Sequence, residues 1–315
     1  GGADAVYFGL MQLNARRRAR NFTLDEARRG IELLHSYGRR AYLTLNTDIS
    51  YRELGLALAI LNDASRLGFD AVLVRDPALL ALRKAYPQLE IHWSTQTTMA
   101  NSADVLAARE LGADRVVLAR EMTLDEIRQA CAVPGIGKEV FAQGALCFSI
   151  SGRCLMSSWV GGRSGNRGMC ASPCRVPWQI DGQDAGHPLS MHDLCVLDHI
   201  QALAGAGVTA LKIEGRLKSA NWVEQAVELY RSAIQRQEPA LLCQRAEKLT
   251  AYTGRALSDG FLTGDRRELT GTNRGRLAQQ EEDSTAESGV ADAAVDADTG
   301  PQDGLLPDES EDPSG

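Results

Sequence analysis

Short runs of β-branched and other apolar residues alternate along this chain with longer segments in which apolar residues recur at helical spacing. The short runs predict seven strands, at residues 5–8, 41–45, 71–74, 91–93, 116–118, 140–141 and 210–213. The longer segments predict helices at residues 23–37, 53–67, 77 onward, 103–111, 123 onward, 194–204 and 221–235. This alternation is typical of a parallel α/β protein.

The number of strands predicts a particular α/β architecture. Eight parallel strands close a (β/α)8 barrel, and seven are visible here. The chain begins Gly1-Gly2-Ala3, without Met and directly before an apolar strand, so we expect it to lack its natural start. We therefore predict a parallel (β/α)8 TIM-barrel-like domain that misses its first strand. A doubly wound open sheet is the alternative, although no G-x-G-x-x-G follows the first strand.

Composition divides the chain into a body and a tail. The formal net charge is −7, but residues 280–315 hold twelve acidic residues and no Lys or Arg, which leaves +5 on residues 1–279. Such a tail buries too little apolar surface to fold. We expect a barrel-like domain over residues 1–237, a C-terminal extension over residues 238–278 that packs on it, and a disordered acidic tail over residues 279–315.

Four of the seven cysteines lie close together between residues 139 and 178, in the pattern C-x6-C-x15-C-x3-C. Two disulfides would need an oxidising compartment and usually occur in small, core-poor domains. Structural zinc usually takes closer pairs, and only the second pair fits. An iron–sulfur cluster also takes four thiolates and tolerates uneven gaps. The spacing favours a bound metal and leaves zinc and iron–sulfur open. The four residues are Cys147, Cys154, Cys170 and Cys174.

The compartment follows from the remaining cysteines and from the apolar runs. Cys131, Cys195 and Cys243 are scattered, which is typical of free thiols. The longest apolar runs are too short to span a bilayer. These features predict a reducing, cytoplasmic environment.

Two long segments carry a family resemblance. FAQGALCFSISGRC from Phe141 and GGRSGNRGMCASPCR from Gly161 resemble the signature of peptidase family U32, the collagenase-like peptidases. Further motifs agree with it, and together they cover residues 1 to about 265: GADAVYFG at residues 2–9, TLN at 44–46, STQ at 94–96, VVLARE at 116–121 and LKIEGR at 211–216.

The resemblance implies a cofactor and a reaction. The better understood members are iron–sulfur proteins that serve oxygen-independent hydroxylation of ribosomal RNA, transfer RNA or a ubiquinone precursor. Their cluster ligands fall on the four cysteines of the loop, which predicts a 4Fe–4S cluster on Cys147, Cys154, Cys170 and Cys174. Members typically carry another strand and helix ahead of Gly1. One departure is Gln143, where many members have histidine.

In a barrel, side chains at the carboxyl ends of the strands meet at one mouth. We predict three candidate acids or bases there, namely Glu121, Glu214 and Asp76. The candidate substrate-binding residues are Asn46, Ser94, Gln96, Arg120, Arg216, Arg163 and Arg167.

Two structural alternatives apply to these candidates. The first is that Arg120–Glu121 and Glu214–Arg216 form ion pairs that close the barrel top. The second is that the arginines of the cysteine loop, including Arg175, neutralise a charged cluster and do not hold phosphates. The arginine-rich segment 16–20 is interpreted mainly as a solvated surface loop.

The leading hypothesis is an iron–sulfur-dependent enzyme that hydroxylates an RNA base, with RNA as substrate. This hypothesis includes a small carboxylated co-substrate held by Arg120 or Arg216. It also includes a redox partner or partner chain. The alternatives are a collagenase-like peptidase, a ubiquinone-type hydroxylase component and a non-catalytic scaffold. The chain contains neither H-E-x-x-H nor G-x-S-x-G, so only the family name supports proteolysis.

Overall fold

The computed structural model describes residues 1–17, 19–215, 218–235, 239–250, 255–267 and 269–271. The chain separates into two units, residues 1–274 and 275–315. The second unit lies outside the described residues, and so does the predicted acidic tail. The predicted boundaries at residues 237 and 278 stay predictions.

A mostly parallel sheet runs through the first unit. Its first six strands pair in chain order, each parallel to the next. They are β1 (Ala5–Phe8), β2 (Arg40–Leu45), β3 (Ala71–Val74), β4 (Glu90–Trp93), β5 (Arg115–Val117) and β6 (Gly137–Ala145). All seven predicted strands are present, and the described part of the chain is a mixed α/β fold.

Strand β6 is the junction of the sheet. The seventh predicted strand, β10 (Ala210–Ile213), pairs parallel to its middle, and β9 (Asp193–Cys195) pairs antiparallel to its end. A short strand, β11 (Leu257–Ser258), then pairs with β9. A separate hairpin joins β7 (Gln179–Ile180) to β8 (Gln183–Asp184).

One predicted helix is wrong in its first half. Residues 194–204 were expected to be helical, but Asp193–Cys195 form a strand and only Ile200–Gly205 form an α-helix. A short apolar run does not separate a strand from a buried helix by its pattern. The antiparallel partner at the end of β6 decides the outcome here.

The other predicted helices are present, and two further α-helices, Met156–Gly161 and Pro239–Thr250, were not predicted. Thr123 and Glu126 form the predicted capping box, because each side chain accepts a hydrogen bond from the other's backbone N–H. The α-helices are α1 (Leu24–Ser36), α2 (Leu54–Leu67), α3 (Ser102–Glu110), α4 (Leu124–Cys131), α5 (Met156–Gly161), α6 (Ile200–Gly205), α7 (Ala220–Ile234) and α8 (Pro239–Thr250). Short 3-10 helices occupy Tyr51–Glu53, Pro77–Ala85, Thr95–Thr97, Gly165–Arg167, Pro173–Arg175 and Leu197–His199. No helix in the described ranges is long and apolar enough to cross a bilayer.

The two ends of the parallel sheet approach each other. The Tyr7 hydroxyl on β1 donates a hydrogen bond to the Ile213 carbonyl on β10, at 3.2 Å. The Lys212 ammonium lies 4.4 Å from the Tyr7 ring centroid. Within the described residues these contacts involve side chains, and the named backbone pairings do not join β1 to β10. The sheet is therefore curved, while a closed barrel is not established by these contacts.

A charged cluster is buried on the inner side of this curved sheet. Glu139 accepts from Lys212 Nζ at 2.6 Å and from Arg115 Nη1 at 3.2 Å. Burial opposes ionisation of Glu139, but the charge and hydrogen bond of Lys212, together with the charges of His92 and Arg115, outweigh it, so the pKa of Glu139 falls below its ordinary value. Burial also lowers the pKa of His92, whose Nε2 lies 3.0 Å from Glu90. The network is stable only while its charges stay paired.

Removing one member of this network tests how much the network contributes to the unfolding free energy. The Lys212→Met variant leaves the Glu139 carboxylate buried with Arg115 alone, so it should cost about 3 to 5 kcal/mol of unfolding free energy. Urea denaturation followed by circular dichroism measures the loss. The double variant Glu139→Leu/Lys212→Met should recover part of it, because no unpaired charge remains. A single variant as stable as the wild type would contradict a paired buried network.

Candidate active site and cysteine loop

Asn46 and Ser94 meet at the carboxyl ends of β2 and β4. Asn46 Nδ2 donates to Ser94 Oγ at 3.2 Å, and Asn46 Oδ1 accepts from the Ala15 N–H at 3.0 Å. Ser94 Oγ also accepts from the Gln96 N–H at 3.3 Å. The predicted gathering of these polar residues is thus present, and the loop after β1 joins it.

Glu214 pairs with Arg16 across the mouth. Arg16 donates to Glu214 Oε1 from Nη2 at 2.7 Å and from Nε at 3.1 Å, and the Glu214 charge raises the pKa of Arg16. Arg216, the partner expected for Glu214, lies outside the described residues. The interpretation of segment 16–20 as a surface loop missed Arg16. No local pattern marks it, because its partner is 198 residues away.

Arg120 and Glu121 take different partners, and the ion pair considered between them is not the arrangement observed. Both Glu121 oxygens accept hydrogen bonds from Ser151, one from its N–H and one from its hydroxyl, each at 2.8 Å. Arg120 donates from Nη1 to the Ala145 carbonyl at 2.8 Å and lies 5.1 Å over the Phe141 ring. Its buried Nε has no hydrogen-bond partner among the described residues. Glu121 therefore holds the cysteine loop, and Arg120 keeps a donor unused.

Asp76 holds backbone at the same rim. Its two carboxylate oxygens accept from the Ile49 N–H at 2.8 Å and from the Ala78 N–H at 2.9 Å. Both contacts order the chain that follows β2 and β3. The observed bonds give Asp76 a positioning role beside its candidate role as acid or base.

Two glycines let the cysteine loop lie directly on the strand ends. Gly152 has φ +76°, and a Cβ there would overlap the Gln96 backbone. Gly168 has φ +80°, and a Cβ there would overlap the Asn14 carbonyl. Arg75 Nη1 also donates to the Gly152 carbonyl at 3.0 Å. Only glycine combines this backbone conformation with so close an approach.

The arginines of the cysteine loop divide into two kinds. Arg167 donates to the Asp48 carbonyl at 2.6 Å and to the Glu53 carboxylate. Arg175 donates to the Leu146 carbonyl at 2.5 Å and to the Met191 carbonyl. These two side chains fasten the loop to the body of the protein. Arg163 is exposed and makes no side-chain hydrogen bond or ion pair with the described residues.

The four cysteines of the loop are free thiols. Burial raises the pKa of the Cys174 thiol, Arg175 opposes that rise, and the charges of Cys147 and Cys170 add to it. These three thiols are therefore near enough to influence one another. Cys170 Sγ accepts from the Ser172 N–H at 3.3 Å.

The fourth thiol belongs to the same loop but does not complete a ready-made site. A Cβ at Gly165 would lie 3.6 Å from Cys170 Cβ and 3.9 Å from the Cys154 carbonyl oxygen. Across the described ranges, no three His, Cys, Asp or Glu side chains converge as a metal-binding group. The donor set, four free thiols on a glycine-rich loop with guanidinium groups beside it, fits a thiolate-bound metal or cluster in its chemistry.

Gln143 lies beside a tyrosine that joins β6 to α7. Gln143 is 2% exposed, and its Oε1 lies 3.0 Å from the Tyr230 oxygen. The Tyr230 hydroxyl donates to the Ala142 carbonyl at 2.5 Å, and its oxygen accepts from the Val196 N–H at 3.2 Å. Tyr230 thus fixes this part of β6, and the Gln143 amide packs next to that contact.

Comparison with known proteins identifies the family. The sequence model of peptidase family U32 matches residues 1–271. The chain belongs to peptidase family U32. This U32 chain is 37% identical over 249 residues to tRNA hydroxylation protein P1 of Bacillus subtilis, covering 74% of the chain and 58% of that relative. It is also 36% identical over 261 residues to the 23S rRNA 5-hydroxycytidine C2501 synthase of Escherichia coli, covering 81% of the chain and 39% of that relative.

Other relatives carry other names. A collagenase of Porphyromonas gingivalis is 32% identical over 290 residues, covering 84% of the chain and 70% of that relative. A solved U32 peptidase structure aligns with a TM-score of 0.41 and 15% identity, over 45% of this chain and 62% of that one. The U32 chain spans less than two thirds of the length of several relatives it matches, including the Bacillus protein at 58%.

The contact between Glu53 and Arg167 predicts a pH dependence. The hydrogen bond from Arg167, assisted by Ser50, lowers the pKa of Glu53 from 4.5 to about 2. A carboxyl whose pKa falls on folding stabilises the protein above its unfolded value, and this contribution disappears as the pH falls through the folded value. The wild type should therefore exceed Glu53→Gln in unfolding free energy near neutral pH, and the difference should vanish between pH 4.5 and about 2.

Urea denaturation at a series of pH values measures this difference. Glu32→Gln, at an exposed position on α1, is the matched control and should show no such window. A difference between Glu53→Gln and wild type that persists unchanged to pH 2 would contradict the assignment.

Proposed function

We propose that this U32 chain belongs to an enzyme that hydroxylates a base in ribosomal or transfer RNA, with a 4Fe–4S cluster on its cysteine loop. The observation that carries the proposal is its similarity, at 36–37% identity, to proteins named for tRNA hydroxylation and for 23S rRNA 5-hydroxycytidine synthesis. These names describe the relatives, which extend beyond the matched region. RNA is the proposed substrate and the cytoplasm the proposed location.

The cysteine loop supports RNA as the substrate. From Cys147 to Trp178 the sequence contains four arginines and no Asp or Glu. Arg153 and Arg163 are exposed, and Trp159 on α5 is 85% exposed. Guanidinium groups bind phosphates, and exposed aromatic rings stack on unpaired bases. The loop thus offers both kinds of contact to a single-stranded segment.

The cofactor proposal uses the four thiols of the loop. Cys147, Cys154, Cys170 and Cys174 would hold the cluster, which supplies electron transfer when bound. Arg175 lies beside Cys174, and Arg16 lies near enough to Cys170 for its thiolate charge to raise the Arg16 pKa. Both guanidinium groups compensate negative charge at the thiolates. The Ser151–Glu121 contact keeps the loop on the strand ends.

The strand ends supply the remaining roles. Arg120, with an unused buried Nε, would bind the carboxylate of a small co-substrate. Asn46, Ser94 and Gln96 would orient the reacting molecule beside it. Glu214 is the candidate acid or base, and the hydrogen bonds from Arg16 fix the position of its carboxylate.

The sheet is proposed to close as a (β/α)8 barrel. The Tyr7 hydroxyl spans the gap to the Ile213 carbonyl with its side chain, which leaves the backbone edge of β1 for one more parallel strand. An eighth strand at that edge would continue the parallel pairing of β1 and bring the sheet to the eight strands of a barrel.

The first experiment measures iron. The full-length protein, purified without oxygen, should contain a 4Fe–4S cluster, and Cys154→Ala should lose most of its iron, because one iron loses its thiolate. Cys131→Ala and Cys195→Ala are matched controls and should keep wild-type iron. Iron analysis and visible absorbance provide the readout. Equal iron loss in Cys195→Ala and Cys154→Ala would contradict the ligand assignment. Bound zinc in place of iron would contradict the iron–sulfur cluster and favour a zinc site.

The second experiment measures RNA modification. Deleting the full-length gene in its host should remove one hydroxylated nucleoside from ribosomal or transfer RNA, seen by mass spectrometry of digested RNA. The wild-type gene should restore it. Trp159→Ala should restore less, since losing one stacked base weakens RNA binding by about 5- to 100-fold.

The matched control for that arm is Tyr37→Ala, whose ring is 74% exposed at the end of α1, where the chain enters β2. It should restore the nucleoside fully. If every hydroxylated nucleoside survives the deletion, RNA hydroxylation is wrong. Gelatin hydrolysis by the purified protein would then favour a peptidase, and a ubiquinone defect would favour the quinone pathway.

A further inference from the structure

A cavity of about 260 Å³ lies between the loop after β1, the start of α2 and the cysteine loop. Its lining combines apolar side chains with hydrogen-bonding groups: Leu13, Leu56 and Met169 with Gln12, Arg17 and Thr47. Met169 directly precedes Cys170, so the cavity borders the proposed cluster loop. None of the candidate roles at the strand ends uses Thr47, Arg17 or Gln12.

Thr47 lines this cavity and carries an unusual buried hydroxyl. Thr47 is 2% exposed, and its Oγ1 has no hydrogen-bond partner among the described residues. A buried hydroxyl without a partner costs about 1 to 3 kcal/mol. Most buried polar groups in native proteins are paired, so an orphan that lines a cavity points to a ligand with a polar edge.

The charges around the cavity favour an anionic ligand. Arg167 pairs with Glu53 and donates to the Asp48 carbonyl, so its positive charge on this wall is neutralised by Glu53. The Arg17 side chain is exposed and has no ion pair or hydrogen bond with the described residues. Its guanidinium is thus available for a phosphate at the cavity rim.

The size of the cavity limits what enters it. Pockets for drug-sized ligands measure about 300 to 1,000 Å³, and this one is slightly smaller. It is large enough for one flat ring with part of its sugar and too small for a base pair. Apolar walls suit the faces of such a ring, and a hydroxyl suits its edge.

We propose that this cavity receives a single unpaired nucleotide of the RNA substrate. The base lies between the apolar walls, its polar edge meets Thr47 Oγ1, and its 5′ phosphate meets Arg17. The inference rests on the proposed function for the identity of the polymer. It places the nucleotide beside Met169 and therefore next to the cysteine loop.

Direct binding tests this assignment. The probe is a fluorescent single-stranded pyrimidine RNA, and anisotropy with the full-length protein gives Kd. Thr47→Val keeps the side-chain shape and removes the hydroxyl, so it should weaken binding about 3- to 10-fold. Thr47→Ser keeps the hydroxyl and should bind as the wild type does. Thr263→Val, at an exposed position, is the matched control.

Salt dependence tests the phosphate contact. Arg17→Gln should weaken binding and reduce the slope of log Kd against log salt by about one, because one phosphate contact is lost. Arg20→Gln is the matched control in the same loop, since Arg20 is 91% exposed and its nearest carboxylate, Glu26, is 3.6 Å away. It should leave the slope unchanged.

A modified probe tests whether the cavity takes a base. An RNA of equal length with abasic positions should bind the wild type more weakly and should be insensitive to Thr47→Val. Wild-type affinity in Thr47→Val with an unchanged melting temperature would overturn the inference. So would equal affinity for the abasic RNA.

The binding readout is separate from the cellular one. If Thr47→Val weakens binding but gene deletion leaves every hydroxylated nucleoside in place, the nucleotide pocket stands and the hydroxylase proposal fails. If the deletion removes a nucleoside and Thr47→Val binds and restores like the wild type, hydroxylation stands and the pocket is wrong.

Discussion

The ion pair between Arg16 and Glu214 is the interaction on which the mouth of this U32 protein depends. It joins the loop after β1 to the end of β10 at 2.7 Å, across the curved sheet. Because Arg16 is held there, the same loop can place the Ala15 N–H on Asn46 and the Asn14 carbonyl against Gly168. The strand ends, the loop after β1 and the cysteine loop thus form one connected surface.

The cysteine loop is fixed by its backbone as much as by its side chains. Ser151 and Gly152 lie against Glu121 and Gln96, so the loop begins at a defined place on the strand ends. Arg167 and Arg175 donate hydrogen bonds to backbone carbonyls, and Arg167 also pairs with Glu53. These contacts hold the thiols near the mouth, while Arg163 and Trp159 remain on the surface. One loop therefore combines four thiols near the strand ends with an exposed arginine and an exposed tryptophan on its outer surface.

The buried charges give the inner side of the sheet a different character from the helical side. Glu139, Lys212 and Arg115 satisfy one another where an apolar core would also fit. The outer side packs helices against strands through aliphatic residues such as Ile31, Leu43 and Val72. Curvature brings strands distant in sequence together inside, and each charge buried there needs a partner of opposite sign.

The sequence by itself determined the seven predicted strands and most helices, because apolar periodicity, glycine stops and the Thr123–Glu126 capping box are local signals. It also determined the family, through its long motifs, and the grouping of four cysteines in one loop. Tertiary structure decided that Asp193–Cys195 is a strand, since β6 offers it a partner. It likewise decided that Glu214 meets Arg16 and that Glu121 meets Ser151. Those pairings join residues 198 and 30 positions apart. Residues so far apart share no periodic pattern in the sequence, and only the folded sheet brings them together.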